Sequence, residues 1–232
     1  MFLNYFYPNI FFMSITTLLF HQIFKNIKVE SRLFEKYSIN MMRSITCGII
    51  THEAYLGYNE IWNDKCLVNI NTYNKFRNYH NIFLSYFVYD TILLFYQVYL
   101  KIEKNIRLDL LFHHILAITA LLFIEHQKMY GLSLMIGLSE GMSIVTGPKL
   151  LSMHYGYKKI TNGFIIFRLL YLIFIRILFI WPSLLFYYNN ITINCEKYIV
   201  HRNMYLVIFM VLIIFHAEIN WLHSGRKELT RI

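Results

Sequence analysis

Acids and imidazoles stand where this sequence is otherwise apolar. Asp90 lies in YFVYDTILLFY, His113 and His114 lie side by side in LDLLFHHILAIT, and Glu140 sits midway along GLSLMIGLSEGMSIVTG. Carboxylates and imidazoles carry protons near neutral pH, and a neutral imidazole can also accept an acyl group. These four residues are the candidate catalytic set. His52 (next to Glu53), Arg168 and His216 (close to Glu218) occupy similar surroundings and are candidate substrate-binding residues. A plainer role stands beside each of these. The two histidines can form a buried hydrogen-bonded pair, and Asp90 can be an interhelical partner of Arg168 or of a histidine. No metal site is expected, because adjacent histidines on a helix point about 100° apart. Cys47, Cys66 and Cys195 have no close-pair spacing either.

Such residues need elements that hold them, and composition says which. The chain has 232 residues, of which 57% are hydrophobic, 18% aromatic and only 15% charged. A soluble domain carries about a quarter charged residues and avoids large apolar patches. Intrinsic disorder, a secreted disulfide scaffold and an ordinary soluble enzyme are therefore poor readings. The sequence reads as an all-α, polytopic transmembrane bundle of about seven spans, each needing roughly 20 apolar residues. The expected spans are 8–24, 41–57, 82–100, 108–124, 131–147, 164–187 and 203–222. The second is weakened by Arg43, His52 and Glu53. The N-terminus lacks a basic region and a clear cleavage site, so the first span reads as retained. Short loops without repeats point to one membrane domain. Residues 1–39 form the first span and a basic loop, 40–222 the main domain, and 223–232 a basic tail.

The net charge of +9 is distributed as topology predicts. Lys and Arg number 14 on the side facing the 25–43 loop and 6 on the other, with Arg168 and Arg176 inside a span. The positive-inside rule then puts the N-terminus in a lumen and the C-terminus in the cytosol. Cys66 and Cys195 fall in luminal loops and could pair in an oxidising compartment. The basic charge contacts anionic headgroups, so nucleic acid is not an expected partner.

Counting 1.5 Å per residue from the nearest cytosolic basic residue gives a depth for each polar group. His113 lies about 9 Å in, Glu140, His52 and Arg168 about 13 to 14 Å, His216 about 15 Å and Asp90 about 16 Å. A common depth suits a polar cavity opening to the cytosol. Arg176 lies nearer the lumen and reads as snorkelling. Ser133, Gly137 and Gly141, four apart, allow close helix packing or leave room for a lipid chain beside Glu140.

The segments RSITCGIITHEA (43–54), SYFVYD (85–90), FHHILAIT (112–119) and LSEGMSIVTGPKLL (138–151) resemble the TLC-domain family of multi-pass membrane proteins. That family includes ceramide synthases and the translocon-associated TRAM proteins, and the resemblance runs from about residue 40 to 222. It implies a role in lipid metabolism, lipid binding or membrane lipid composition, in an internal membrane such as the endoplasmic reticulum. In the synthases a double histidine serves acyl transfer from acyl-CoA to a sphingoid amine. Carried over, His113 and His114 would supply the base or the acyl-accepting imidazole, with acyl-CoA as co-substrate and no resident cofactor. The synthases carry a further His-Asp and a second Asp in the following span, where this chain has only Glu140. The match is therefore closer to the smaller TLC-domain proteins. Membrane lipids are the expected partners, with a second copy or another membrane protein also open. The alternatives are a ceramide synthase-like N-acyltransferase, and a transporter or translocon-accessory protein.

Overall fold

The computed structural model describes residues 3–26, 31–103, 105–196, 213 and 219–223. These residues are helical almost throughout and contain no strand. Helix α1 (Leu3–Asn26) is followed by α2 (Ser31–Asn63), α3 (Ile70–Tyr99) and α4 (Leu108–Gln127). Helix α5 (Tyr130–Leu138) passes through a 3₁₀ segment (Ser139–Val145) into α6 (Thr146–His154). Helix α7 (Lys158–Leu170) passes through a π-helical stretch (Tyr171–Ile180) into α8 (Trp181–Asn194). Continuous rods α1 to α4, the broken α5–α6 rod and the long α7–α8 rod make six traverses of the bundle among the described residues.

Three of these helices are long and apolar enough to cross a membrane: α3, α4 and the α7–α8 rod. The other rods show why sequence and structure count differently. Helix α2 has ample length, but Arg43, His52 and Glu53 dilute its apolar character. The expected fifth span, 131–147, breaks into three short pieces. Most of the seventh, 203–222, and all of the tail after residue 223 lie outside the described residues. Large apolar side chains cover the outer surface, among them Phe11 and Leu18 on α1, Ile92 on α3, Phe112 on α4, Phe174 in the π-helical stretch and Phe186 on α8. An outward apolar face over a polar-containing interior is the arrangement lipid imposes.

Local signals fix the two ends. Asp64 accepts from the Val68 and Asn69 amides at 2.9 and 3.0 Å, and Asn69 caps α3 by accepting from the Asn71 amide at 2.9 Å. At this end Cys66 is joined to Cys195 by a disulfide, tying the α2–α3 turn to the end of α8. His80 and Ser133, both buried, contact each other here at 2.6 Å. The opposite end carries Lys36, Glu103, Arg107 and Lys149, with Lys36 on Glu103 at 2.7 Å.

The broken α5–α6 rod is the packed centre. Nearly every residue of α5 is buried. Its small residues do not leave a gap for lipid. A Cβ at Gly131 would meet Tyr187 and Ile61, one at Gly137 would collide with Tyr79, and one at Gly141 would collide with Tyr171. Of the two readings of the small-residue stripe, tight packing is the one realised. Gly137→Ala should therefore cost about 1–3 kcal/mol of stability through overpacking. The melting temperature of the purified protein measures this, and Tyr79→Phe in the same chain should restore part of the loss.

Irregular backbone inside a membrane is tolerated only where other groups satisfy it. Here side chains do so. Thr51 donates to the Gly137 carbonyl at 3.5 Å, Tyr171 to the Leu138 carbonyl at 2.5 Å and Ser44 to the Ser143 carbonyl at 3.3 Å. The Gly147 amide donates to Ser44 at 2.8 Å.

Candidate functional site

A cavity of about 400 Å³ lies inside the bundle, toward the Lys36–Arg107 end. Each wall is set by helical periodicity. On α3, Phe83, Phe87 and Asp90 are spaced four and three apart on the buried face, so the carboxylate projects inward behind two aromatic rings. On α4, His113 and His114 face inward from the first two turns. The 3₁₀ segment contributes Glu140, and the α7–α8 rod contributes Arg168 and Arg176.

The two histidines divide between two carboxylates. His114 points Nε2 at Asp90 Oδ2, 3.3 Å away, and Nδ1 at Thr91 Oγ1, 3.1 Å away. His113 points Nε2 at Glu140 Oε1, 3.9 Å away. The roughly 100° step between neighbouring helix positions, which argues against a shared metal, is what sends each ring to its own acid. The rings lie 5.8 Å apart, and Phe87 meets both edge-on at 5.6 and 5.4 Å.

Thr91 donates its hydroxyl to the Phe87 carbonyl at 2.6 Å and also meets His114 Nδ1. The other ring nitrogen faces the Asp90 carboxylate. Asp90 is further held by Arg43, whose Nε donates to Oδ1 at 2.5 Å. The His114 side chain is 2% exposed and that of His113 14%. His113 is thus the imidazole open to the cavity, and His114 is locked behind it.

Of the residues singled out from sequence, Asp90, His113, His114, Glu140 and Arg168 all line this one cavity. His52 does not. It lies on the outer face of α2, exposed and 3.8 Å from its neighbour Glu53. Nine residues separate it from Arg43, which is half a turn away around the helix. The depth count for His52 also started from Arg43, which is itself inside the cavity and not at the interface. His216 and Glu218 lie outside the described residues.

Three contributors escape sequence reasoning. Arg43, counted as a loop charge, is the partner of Asp90. Its signal was its place four residues before Cys47 on the stripe Cys47–Ile50–Ala54, all buried. Arg176 is not snorkelling: it is buried and lines the cavity. Ile165, Leu169, Leu172 and Arg176 follow each other at four, three and four residues on one helix face. Trp221 packs between Arg176 and His113, 5.6 Å from the guanidinium carbon and 5.2 Å from the imidazole ring centre.

Among the described residues no three His, Cys, Asp or Glu side chains converge as metal ligands. The arrangement sets an imidazole beside each of two carboxylates, His113 by Glu140 and His114 by Asp90, in a pocket lined mainly by polar side chains. No protein-family model, curated protein or solved structure matches the chain.

Proposed function

We propose that this chain is a multi-pass, TLC-type membrane protein whose inner cavity handles lipid, acting in lipid metabolism or in setting membrane lipid composition. The observation that carries this reading is the pairing of His113 with Glu140 and His114 with Asp90 around one cavity among apolar helices. Ionisable groups are expensive at that depth and are kept where a polar ligand or a proton must be handled. The outward apolar surface supports the membrane setting, and seven spans remain the count the proposal adopts. The Cys66–Cys195 bond supports placing its end of the bundle in an oxidising lumen, such as that of the endoplasmic reticulum. The cavity then opens toward the cytosol, as does the C-terminus.

Lipids that co-purify with the protein, identified by mass spectrometry, test this reading. The wild type should carry one lipid class enriched over the bulk membrane, and His114→Ala should deplete or change it. Bulk composition in the wild type, or unchanged lipids in the variant, overturns the proposal.

A second reading, N-acyl transfer from acyl-CoA, is favoured by the cavity-facing position of His113. The amine nitrogen would attack the thioester carbonyl, forming the C–N bond as the C–S bond breaks. His113 would take the proton from nitrogen and return it to the leaving thiolate. His113→Ala should then lower N-acylation by purified protein about 10²- to 10⁴-fold. Absence of N-acylated product from the wild type, across a panel of acyl-CoAs and amines, excludes this second reading.

A further inference from the structure

Trp221 touches two different walls of the cavity. A tryptophan near the end of a span usually serves as an interfacial anchor. This one is half-buried and lines the cavity. On α4 its ring meets His113 edge-on, with centroids 5.2 Å apart and planes at 70°. Its indole N–H is directed at the Asp109 carboxylate, which also accepts from Arg107 at 2.7 Å. Asp109 and His113 are four residues apart, so the indole spans one turn of a single helix face. From the α7–α8 rod, the Arg176 guanidinium lies over the same indole, 5.6 Å from the ring centre.

What the indole does for His113 follows from what Glu140 leaves undone. The acid oxygen lies 3.9 Å from Nε2, beyond hydrogen-bond reach. An imidazole has a broad, two-fold preference about its ring torsion, so packing must choose the orientation. Two rings make that choice, Phe87 at 5.6 Å and Trp221 at 5.2 Å, both edge-on. Edge-to-face contact at this spacing is a favoured aromatic geometry. Phe87 packs on both imidazoles, whereas Trp221 packs on His113. Asp109 at the indole N–H and Arg176 over the ring leave the indole little freedom of its own.

We propose that Trp221 is a positioning residue for the cavity-facing imidazole, holding the His113 ring toward Glu140 and shielding it. The site then draws one wall from residues 219–223, far along the chain from the other helices that build it. This holds whatever ligand the cavity takes, so it does not depend on the lipid-handling reading.

Full-length protein in nanodiscs, treated with diethyl pyrocarbonate, provides the test. The reagent places an ethoxycarbonyl group on a neutral imidazole nitrogen and releases ethanol and carbon dioxide. Tandem mass spectrometry then reads His113 and His114 separately. Trp221→Ala should raise the His113 rate about three- to tenfold, the range that the free energy of one aromatic pair sets. Trp221→Phe keeps a ring edge against His113 and should stay near the wild-type rate. Asp109→Ala removes only the anchor, at an exposed position, and should give an intermediate rise. Buried His80 and His114 should stay slow in all three variants. The pH profile of the His113 rate reads orientation itself. Glu140→Gln should move its midpoint in the wild type, because a nearby carboxylate biases an imidazole's charge, and far less in Trp221→Ala.

A His113 rate unchanged in Trp221→Ala, or as fast in Trp221→Phe as in Trp221→Ala, overturns the proposal. A rise shared equally by His80 and His114 does the same, since it marks general loosening. A midpoint that ignores Glu140→Gln, or responds equally with and without the indole, overturns it as well. The reaction needs no bound lipid, so its failure leaves the lipid-handling reading standing. A chain that carries only bulk lipid loses that reading and keeps this one.

Discussion

Asp90→Ala should destabilise the protein by about 3–5 kcal/mol, the usual cost of removing one partner from a buried ion pair. The Asp90 carboxylate is 2% exposed and holds two groups at once, Arg43 on one oxygen and His114 on the other. Its loss strands the Arg43 guanidinium, itself only 11% exposed, in the interior without its counter-charge. It also removes the acceptor that fixes the His114 ring. A charge left uncompensated in that setting costs far more than the pair contributed, because desolvation is no longer offset. The double variant Arg43→Met with Asp90→Leu should recover most of the stability, since an apolar pair of similar volume removes both charges together. Unfolding of the purified protein in mild detergent, with the Arg43→Met and Asp90→Leu single variants completing a double-mutant cycle, measures this. A single Asp90→Ala loss below about 1 kcal/mol would show that the pair is solvated and the cavity far wetter than the geometry implies.

Loss of the Cys66–Cys195 bond should have the next largest effect. It closes a loop with a sequence separation of 129 residues, which contains α3 to α8. Removing a native disulfide that closes a long loop costs about 2–4 kcal/mol, chiefly by freeing the unfolded chain. Cys66→Ser should lower stability by that amount, and so should Cys195→Ser. Because the two act on one bond, the double variant should lose no more than either single. Non-reducing gel mobility reports the bond, and the same unfolding assay reports its contribution. Equal stability of the wild type under oxidising and reducing conditions would show that the bond does not constrain the chain.

The bundle was legible in the sequence because apolar stretches of spanning length are the strongest signal a chain can carry. The weak second stretch was legible for the same reason, yet its helix runs well beyond the expected 41–57 at both ends. There, polar residues continue the helical stripe without apolar character. The break at Ser139–Val145 was not legible, since it depends on Thr51, Tyr171 and Ser44 arriving from other helices to satisfy its backbone. At the site, Asp90, His113, Glu140 and Arg168, singled out by their positions along their helices, line one cavity. Azimuth was applied there only to the two histidines, and it decides the remaining cases. Arg43 and Arg176 point in because they continue buried stripes, whereas His52 is half a turn off its own.

The glycines of α5 and the 3₁₀ segment carry one more implication. Gly131, Gly137 and Gly141 each receive a tyrosine from a different partner, Tyr187 of α8, Tyr79 of α3 and Tyr171 of the π-helical stretch. Three notches, one engaged from α3 and two from different heights on the α7–α8 rod, act as a ruler for the central rod. Sliding by one turn would disengage all of them together, so the rod has a single permitted axial setting. Glu140 lies between two of those notches, and its height relative to His113 is therefore fixed by the tyrosines and not by the weak attraction between acid and imidazole. Substitutions at Tyr79 or Tyr171, some distance from any proton being moved, would then retune the site by shifting its acid along the bundle axis.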